Sequence, residues 1–361
     1  MPARRWLWIG LIVVPVLLAG AHYTYWRIAS EQLEHGLASW LAQRQMAGWT
    51  TDIGVPVRGG YPFAASLAIP AVALHSDGRE IPGGLTWKAE RVVLRVRLTQ
   101  PRLLQVNAEG AQQLRMGDAP LVPFRADRLR LVVPLDPGFP RWSDIVVSQL
   151  RAGMPAGDAA AGLTVGAFRA HGDLRPAAPQ GEAAVTFTLH ADAIRLPNNV
   201  TWPLGPDVAR IDLDGTVGGP LPRAGSAAQA ASQWRDGGGT VEIAALRLNW
   251  GKLAVDSSAT LALDEQLQPM GTGTARIKGQ SEALDALVMS GAMTPGVAQM
   301  ARTMIALFAP PKGLPGNGAS ASGGNSAADA EVEIPLTLQN RRLFTRQLPL
   351  ARLPVLRWPG R

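Results

Sequence analysis

Residues able to do acid-base, nucleophilic or metal chemistry are few in this chain and widely spaced. The five histidines, His22, His35, His75, His171 and His190, stand alone, without the H-E-x-x-H pattern that sets two imidazoles on one helix face around zinc. Each reads as an exposed or hydrogen-bonded residue. The chain has no cysteine, which removes disulfides, zinc-thiolate sites, iron-sulfur clusters and thiol catalysis. No G-x-S-x-G elbow precedes a helix, so serine hydrolysis lacks its local geometry. Gly271-Thr272-Gly273 has neither the third glycine nor the Lys-Ser/Thr of a phosphate loop, and reads as a turn. Asp212 and Asp214 share one face of a strand, and paired carboxylates can do acid-base work. Without a partnering base they read as a solvated face. The chain is therefore read as non-enzymatic, with no cofactor and no metal.

The cluster with most chemistry in it is basic. Arg91, Arg95 and Arg97 alternate along one strand, and Arg128 and Arg130 along another. Such a face resists edge-to-edge aggregation, and it could also dock on anionic lipid, where each basic residue near the surface contributes about 1 kcal/mol. Trp202, Trp234 and Trp250 read as core residues in a chain with only seven phenylalanines and three tyrosines.

Period-two alternation supplies the elements that would position these residues. Val92, Leu94, Val96 and Leu98 lie opposite the arginines, and Leu129, Leu131 and Val133 oppose Arg128 and Arg130. The same pattern recurs in Val185, Phe187 and Leu189, in Ile211, Leu213 and Val217, and in Val332, Ile334, Leu336 and Leu338. Thr240 to Trp250 changes phase at Ala244-Ala245, as a bulge requires. Leu253 and Val255 with Leu261 and Leu263 read as a hairpin-like pair. Strands with one apolar and one polar face point to an antiparallel sheet. Two late helices interrupt it: one from Glu282 to Ser290 with Ser281 as N-cap, and one from Val297 to Phe308 opened by Thr294-Pro295. Gly153 to Gly162 reads as a low-order break between two halves of the sheet region.

The stretch Trp6 to Trp26 is uncharged and, as a helix, about 31 Å long, enough to cross a bilayer. Arg4 and Arg5 precede it, which keeps the N-terminus cytoplasmic. Trp6 and Trp8 at one end, and Tyr23, Tyr25 and Trp26 at the other, suit the two interfaces. A cleaved signal peptide ending at Ala19-Gly20-Ala21 is the competing reading and would leave a soluble periplasmic protein. Helical spacing continuing through Ile28, Leu33, Leu37, Trp40 and Leu41 to about Met46 favours a retained anchor. With the body beyond the membrane, the net charge of +7 suits anionic head groups rather than nucleic acid.

Several short motifs resemble one bacterial family. The helix ending in Tyr23-Thr24-Tyr25-Trp26 is followed by Gly60-Tyr61-Pro62-Phe63, then by Trp234-Arg235-Asp236-Gly237-Gly238-Gly239-Thr240, Asn249-Trp250-Gly251 and Leu353-Pro354-Val355-Leu356. In this order they resemble domain of unknown function 2125, a family that implies no activity and no catalytic residues. More loosely, the body is similar to AsmA-like envelope proteins, which implies a long curved sheet and phospholipid traffic. The expectation is a mainly β (α+β) chain: cytoplasmic tip and transmembrane anchor 1–26, amphipathic stalk 27–47, periplasmic β-rich body 48–308 with a large curved antiparallel sheet, flexible loop 309–330, and returning strands 331–361. Its expected partners are the inner membrane and a phospholipid or other acyl ligand. The alternative is an envelope protein held on the same sheet, making the chain a scaffold or assembly factor.

Overall fold

The computed structural model describes residues 3–77, 81, 83–117, 119–136, 140–153, 162–222, 226–291, 293–308, 331–346, 348–356 and 358, without the side chains of 3–13, 15, 304–308 and 348. The segments 309–330 and 154–161, read as loop and as break, lie outside the described residues. Among the described residues the fold is mainly β, an antiparallel sheet of 17 strands with four helices. It divides into two compact units, Met1–Asp144 and Ile145–Arg361.

Unit 1 begins with α1 (Ala3–Met46), one unbroken helix of 44 residues that ends where the sequence periodicity ends. Among the described residues no helix is long and apolar enough to cross a membrane; within the apolar run of α1 the side chains of 6–13 and 15 are not described. Strands β1 (Trp49–Asp52) and β2 (Val57–Gly59) both pair with β3 (Ala64–Ser76), and β4 (Leu85–Arg97) pairs with β3 along its whole length. Next come β5 (Leu103–Met116), β6 (Val122–Arg125) and β7 (Arg128–Pro134), the last two both on β5.

The apolar face of this unit is sealed. Leu67 (0% exposed), Ile69, Leu94 and Val96 pack with Leu33 of α1, and Leu37, Trp49 and Trp87 close the margin. Burying one such side chain contributes about 1.5–3 kcal/mol. Ala71, at φ 51, changes the phase of β3, so Val72 and Leu74 continue the buried cluster that Leu67 and Ile69 begin. The helix face is chosen by the same burial. Ser30 is fully buried, and its hydroxyl donates back to Trp26 O at 2.9 Å, so no polar group is stranded.

The division between the units falls inside β8 (Trp142–Ala152). Unit 2 is a meander in which every strand pairs antiparallel with its successor: β9 (Leu163–Leu174), β10 (Ala183–Arg195), β11 (Asp207–Gly218), β12 (Val241–Trp250), β13 (Leu253–Leu263), β14 (Pro269–Lys278), β15 (Val332–Gln339), β16 (Arg342–Thr345) and β17 (Leu348–Arg352). Helix α2 (Ala227–Asp236) lies between β11 and β12; α3 (Gln280–Met289) and α4 (Pro295–Phe308) lie between β14 and β15. The C-terminal end is clasped by buried Gln268, whose side chain bonds both N (2.9 Å) and O (3.0 Å) of Leu356.

The bulge at Ala244-Ala245 is present, as register shifts against both β11 and β13. Three expectations are corrected. Leu253 to Leu263 is one straight strand of 11 residues rather than a hairpin, because Ser257 and Ser258 pair with Ala275 and Thr274 instead of turning. Gly271-Thr272-Gly273 lies within β14 rather than in a turn. Its glycines answer to crowding: a Cβ on Gly271 would sit 2.0 Å from Thr260 O, and one on Gly273 2.4 Å from Ser258 O. Helix α3 starts at Gln280 with Gly279 as its left-handed N-cap, so Ser281 is already helical. Helix α2 was not expected. Ser226 caps it with a capping box to Gln229.

Candidate functional site

The alternation of the unit 2 strands becomes, through their register, a continuous apolar surface. Phe187, Gly215, Ile243, Ala259, Gly273 and Leu336 are successive cross-strand partners from β10 to β15. The next row runs through Leu189, Leu213, Leu246, Ser257, Ala275 and Ile334, and a third from Ile211 through Leu248 and Val255 to Ile277. Large and small residues alternate within the first row. The Phe187 ring lies over Gly215, where a Cβ would come within 2.7 Å of its Cζ.

These rows are not sealed as those of unit 1 are. Phe187, Leu189, Leu213, Ile243, Leu246 and Leu248 are all only half-buried. Helices α2 and α3 bind at strand ends, while α4 contacts β15. Trp234 of α2 donates to Gly218 O at 2.8 Å, and Arg235 reaches Asp264 O and Glu265 O. Gly279, the N-cap of α3, has its Cβ position 2.0 Å from Lys252 O in the β12–β13 turn. A cavity of about 370 Å³ lies beside that turn, lined by Leu204, Lys252, Glu282 and Ala286.

The opposite face carries charge in register. Arg169, His190, Asp212, Arg247, Asp256, Arg276 and Glu333 are consecutive partners across β9 to β15. Arg276 Nε meets Glu333 at 2.9 Å, and Arg247 approaches Asp256 at 3.5 Å and Asp214 at 3.7 Å. Exposed pairs of this kind contribute about 0–1 kcal/mol each, so their main effect is to favour one register over a slipped one.

The exception is the buried part of the row. Asp212 is 8% exposed rather than part of a solvated face, and its partnering base is His190 on the neighbouring strand. His190 Nδ1 faces Asp212 Oδ1, its Nε2 faces Asp192 Oδ2 at 2.5 Å, and Arg210 Nε donates to the second Asp212 oxygen at 2.7 Å. Two acceptors require both ring nitrogens to carry protons. The hydrogen bond to Asp212, followed by that to Asp192, holds the His190 pKa above its ordinary value, while Arg210 first and His190 second hold Asp212 below the usual carboxylate range.

The sign of the pH dependence follows. The raised His190 contributes stability in full below the unfolded imidazole pKa and loses it as pH rises through the folded value; Asp212 contributes above the unfolded carboxylate pKa and loses it as pH falls through the folded one. The cluster therefore stabilises most between roughly pH 4 and 6.5. Thermal unfolding should show the melting temperature of the native chain falling more from about pH 6 to pH 9 than that of His190→Gln. Parallel profiles would refute the assignment.

The five arginines of the predicted basic face do share one face of unit 1. Arg91 lies opposite Glu109, Arg95 opposite Gln105, and Arg130 opposite Asn107, with Arg97 and Arg128 further along β4 and β7. Arg91 is 3.7 Å from Glu109. The backbone of Trp6 and Trp8 lies in α1, while Tyr23, Tyr25 and Trp26 project from its described part. Each of the three tryptophans proposed as core is half-buried and donates its indole N–H to a backbone carbonyl: Trp202 to Pro197, Trp234 to Gly218 and Trp250 to Gly205, all at 2.8 Å. Among the described residues no group of His, Cys, Asp and Glu could hold a metal ion.

The short motifs have structural roles. In Trp234 to Thr240, a Cβ on Gly239 would fall 2.2 Å from the Trp234 ring, so glycine seats the indole. In Gly60 to Phe63, Gly60 holds φ +88 with Ala64 O 2.5 Å from its Cβ position. Sequence comparison supports the family that they resemble. The family model described as an uncharacterized protein conserved in bacteria (DUF2125) matches residues 26–354, and the chain belongs to that family. No curated protein and no solved structure matches it.

Proposed function

We propose that this DUF2125 member is a non-catalytic protein of the bacterial inner membrane, anchored by residues 6–26, whose unit 2 sheet holds acyl chains or another lipidic ligand on the periplasmic side. The observation that carries the reading is the contrast between two apolar faces. Helix α1 covers that of unit 1, where Leu67 and Ile69 are 0% and 3% exposed, while the rows through Phe187, Leu213 and Leu246 stay half-buried, with α2 and α3 at the strand ends and α4 against β15. Leaving so much aliphatic surface partly wet forgoes about 25 cal/mol for each Å², which an apolar ligand would recover. A resemblance to AsmA-like proteins is in keeping with this reading.

Organic extraction of the folded, detergent-solubilised full chain should release phospholipid or another acyl lipid. Leu246→Glu, at the centre of the face, should lower retention several-fold. A folded chain that carries no lipid and takes up no labelled phospholipid would end the proposal. Terminal sequencing of the membrane-bound protein tests the anchor: a mature chain beginning at His22 would make residues 1–21 a cleaved leader.

A further inference from the structure

We infer that the turn Gly60–Phe63, with the strand ends beside it, is a second membrane contact that seats unit 1 on the surface of an anionic phospholipid bilayer around α1. The inference deepens the anchor reading above and rests on it. The turn is clamped to α1 at the level where the apolar run ends. Trp26 Nε1 donates to Ala64 O at 2.9 Å, and His22 Nε2 lies 2.6 Å from Pro62 O. The Tyr61 ring packs edge-on against Trp26 at 5.5 Å and against Tyr23 at 5.9 Å. This clamp leaves Phe63 82% exposed, with Tyr61 at 49%, Tyr23 at 49% and Tyr25 at 42%. Four aromatic side chains, two on α1 and two on the turn, thus stay partly or largely exposed beside the end of the apolar run, where a chain leaving a bilayer needs rings that are apolar on the body and wet at the edge.

Charge at the same end of the sheet fits that surface. Leu98 N donates to Phe63 O at 3.1 Å, which places exposed Arg97 beside the turn. The β4–β5 turn brings exposed Arg102, whose carbonyl accepts from Leu135 N at 2.7 Å, and Leu135 is itself 47% exposed. The strands then climb away alongside α1. Trp26 bonds the start of β3 at Ala64, while Trp49, just past the end of α1, pairs with Ser76 at the other end of β3. Arg91 is six residues up β4 from Arg97, or ~20 Å, well beyond a screening length of about 8 Å. Of the five arginines on the basic face, Arg97 lies nearest the turn, with Arg102 beside it, and exposed Arg95 follows two residues up β4, ~7 Å away and within the screening length.

The absence of cysteine makes the test clean. Single nitroxide labels are placed at Phe63→Cys, at Leu17→Cys on the apolar run and at Met46→Cys at the far end of α1, the last two positions being 66% and 80% exposed. The full chain is reconstituted into nanodiscs of phosphatidylglycerol and phosphatidylethanolamine. The label at 63 should collide with dissolved oxygen several-fold more, relative to a water-soluble nickel chelate, than the label at 46, and Arg97→Glu with Arg102→Glu should shift it towards the aqueous value. If 63 is as open to the chelate as 46 while 17 reports lipid, the docking surface is refuted and the anchor stands. If 17 is also aqueous, both fall. Shielding of 63 from both reagents, or spin–spin broadening between labels, would mean that a protein partner or a second copy covers the turn, and would refute the bilayer as its occupant.

Discussion

Leu67→Ala should lower the stability of unit 1 by about 3 kcal/mol, within the usual 2–5 kcal/mol for a sealed leucine, whereas the same substitution at Leu246 should cost unit 2 about 1 kcal/mol or less. Leu67 is 0% exposed beneath α1 and touches a cluster that includes Ile69, Leu94 and Leu33, so truncation leaves a cavity that rigid neighbours cannot fill. Leu246 is only half-buried, so water already reaches part of what the mutation removes. Hydrogen exchange reads the two independently, through the amides of β3 and β4 for one and of β12 and β13 for the other. Equal losses at both sites would mean that the unit 2 face is as closed as the unit 1 core, and the lipid reading would lose its support.

Gly271→Ala is the second large effect, and it comes from a single methyl group. Its Cβ would lie 2.0 Å from Thr260 O and 2.9 Å from Leu261 Cα, both backbone atoms of β13. A flexible side chain could move aside; a paired strand can do so only by giving up ladder hydrogen bonds. We expect a loss of about 2–3 kcal/mol, at the upper end for overpacking, with faster exchange in β13 and β14. Gly296 is the control, because a Cβ there meets nothing within 4 Å. It lies inside helix α4, so Gly296→Ala should be neutral or stabilise by about 0.5–1 kcal/mol. Two Gly→Ala changes of opposite sign in one unit would establish that crowding, not chain entropy, selects glycine in β14; like signs would remove that explanation.

These glycines also mark where sequence reasoning reached its limit. Alternation identifies β4, β7, β10, β11, β12 and β15, and the phase change at Ala244-Ala245 identifies a bulge, because both are properties of one strand. The helical spacing to Met46 and the Thr294-Pro295 start of α4 were legible for the same reason. Gly271-Thr272-Gly273 reads as a turn by local preference, whereas its glycines answer to the backbone of the neighbouring strand. Ser257-Ser258 misled in the same way, since two polar residues interrupt a pattern that the register with Ala275 and Thr274 sustains. Helix α2 was overlooked in Ala227–Asp236, where alanine and glutamine give only a narrow apolar face. The partnership of His190 with Asp212 spans 22 residues and becomes visible only when β10 and β11 are laid side by side. The ladder of alternating charge needs seven strands in register, so no single window of sequence contains it.

The placement of α3 and α4 bears on the order in which the chain assembles. Every neighbouring pair from β9 to β14 closes over a short connection or a single helix, whereas β14 ends at Lys278 and β15 begins at Val332. For an ideal chain, closing 53 residues rather than the five between β13 and β14 costs about 2 kcal/mol more. The six earlier strands can zip locally while β15 to β17 are still outstanding, and non-local pairing is slow. Until β15 docks, β14 is an unpaired edge, so the interval in which a protease or another strand could intercept this protein is set by its last thirty residues rather than its first.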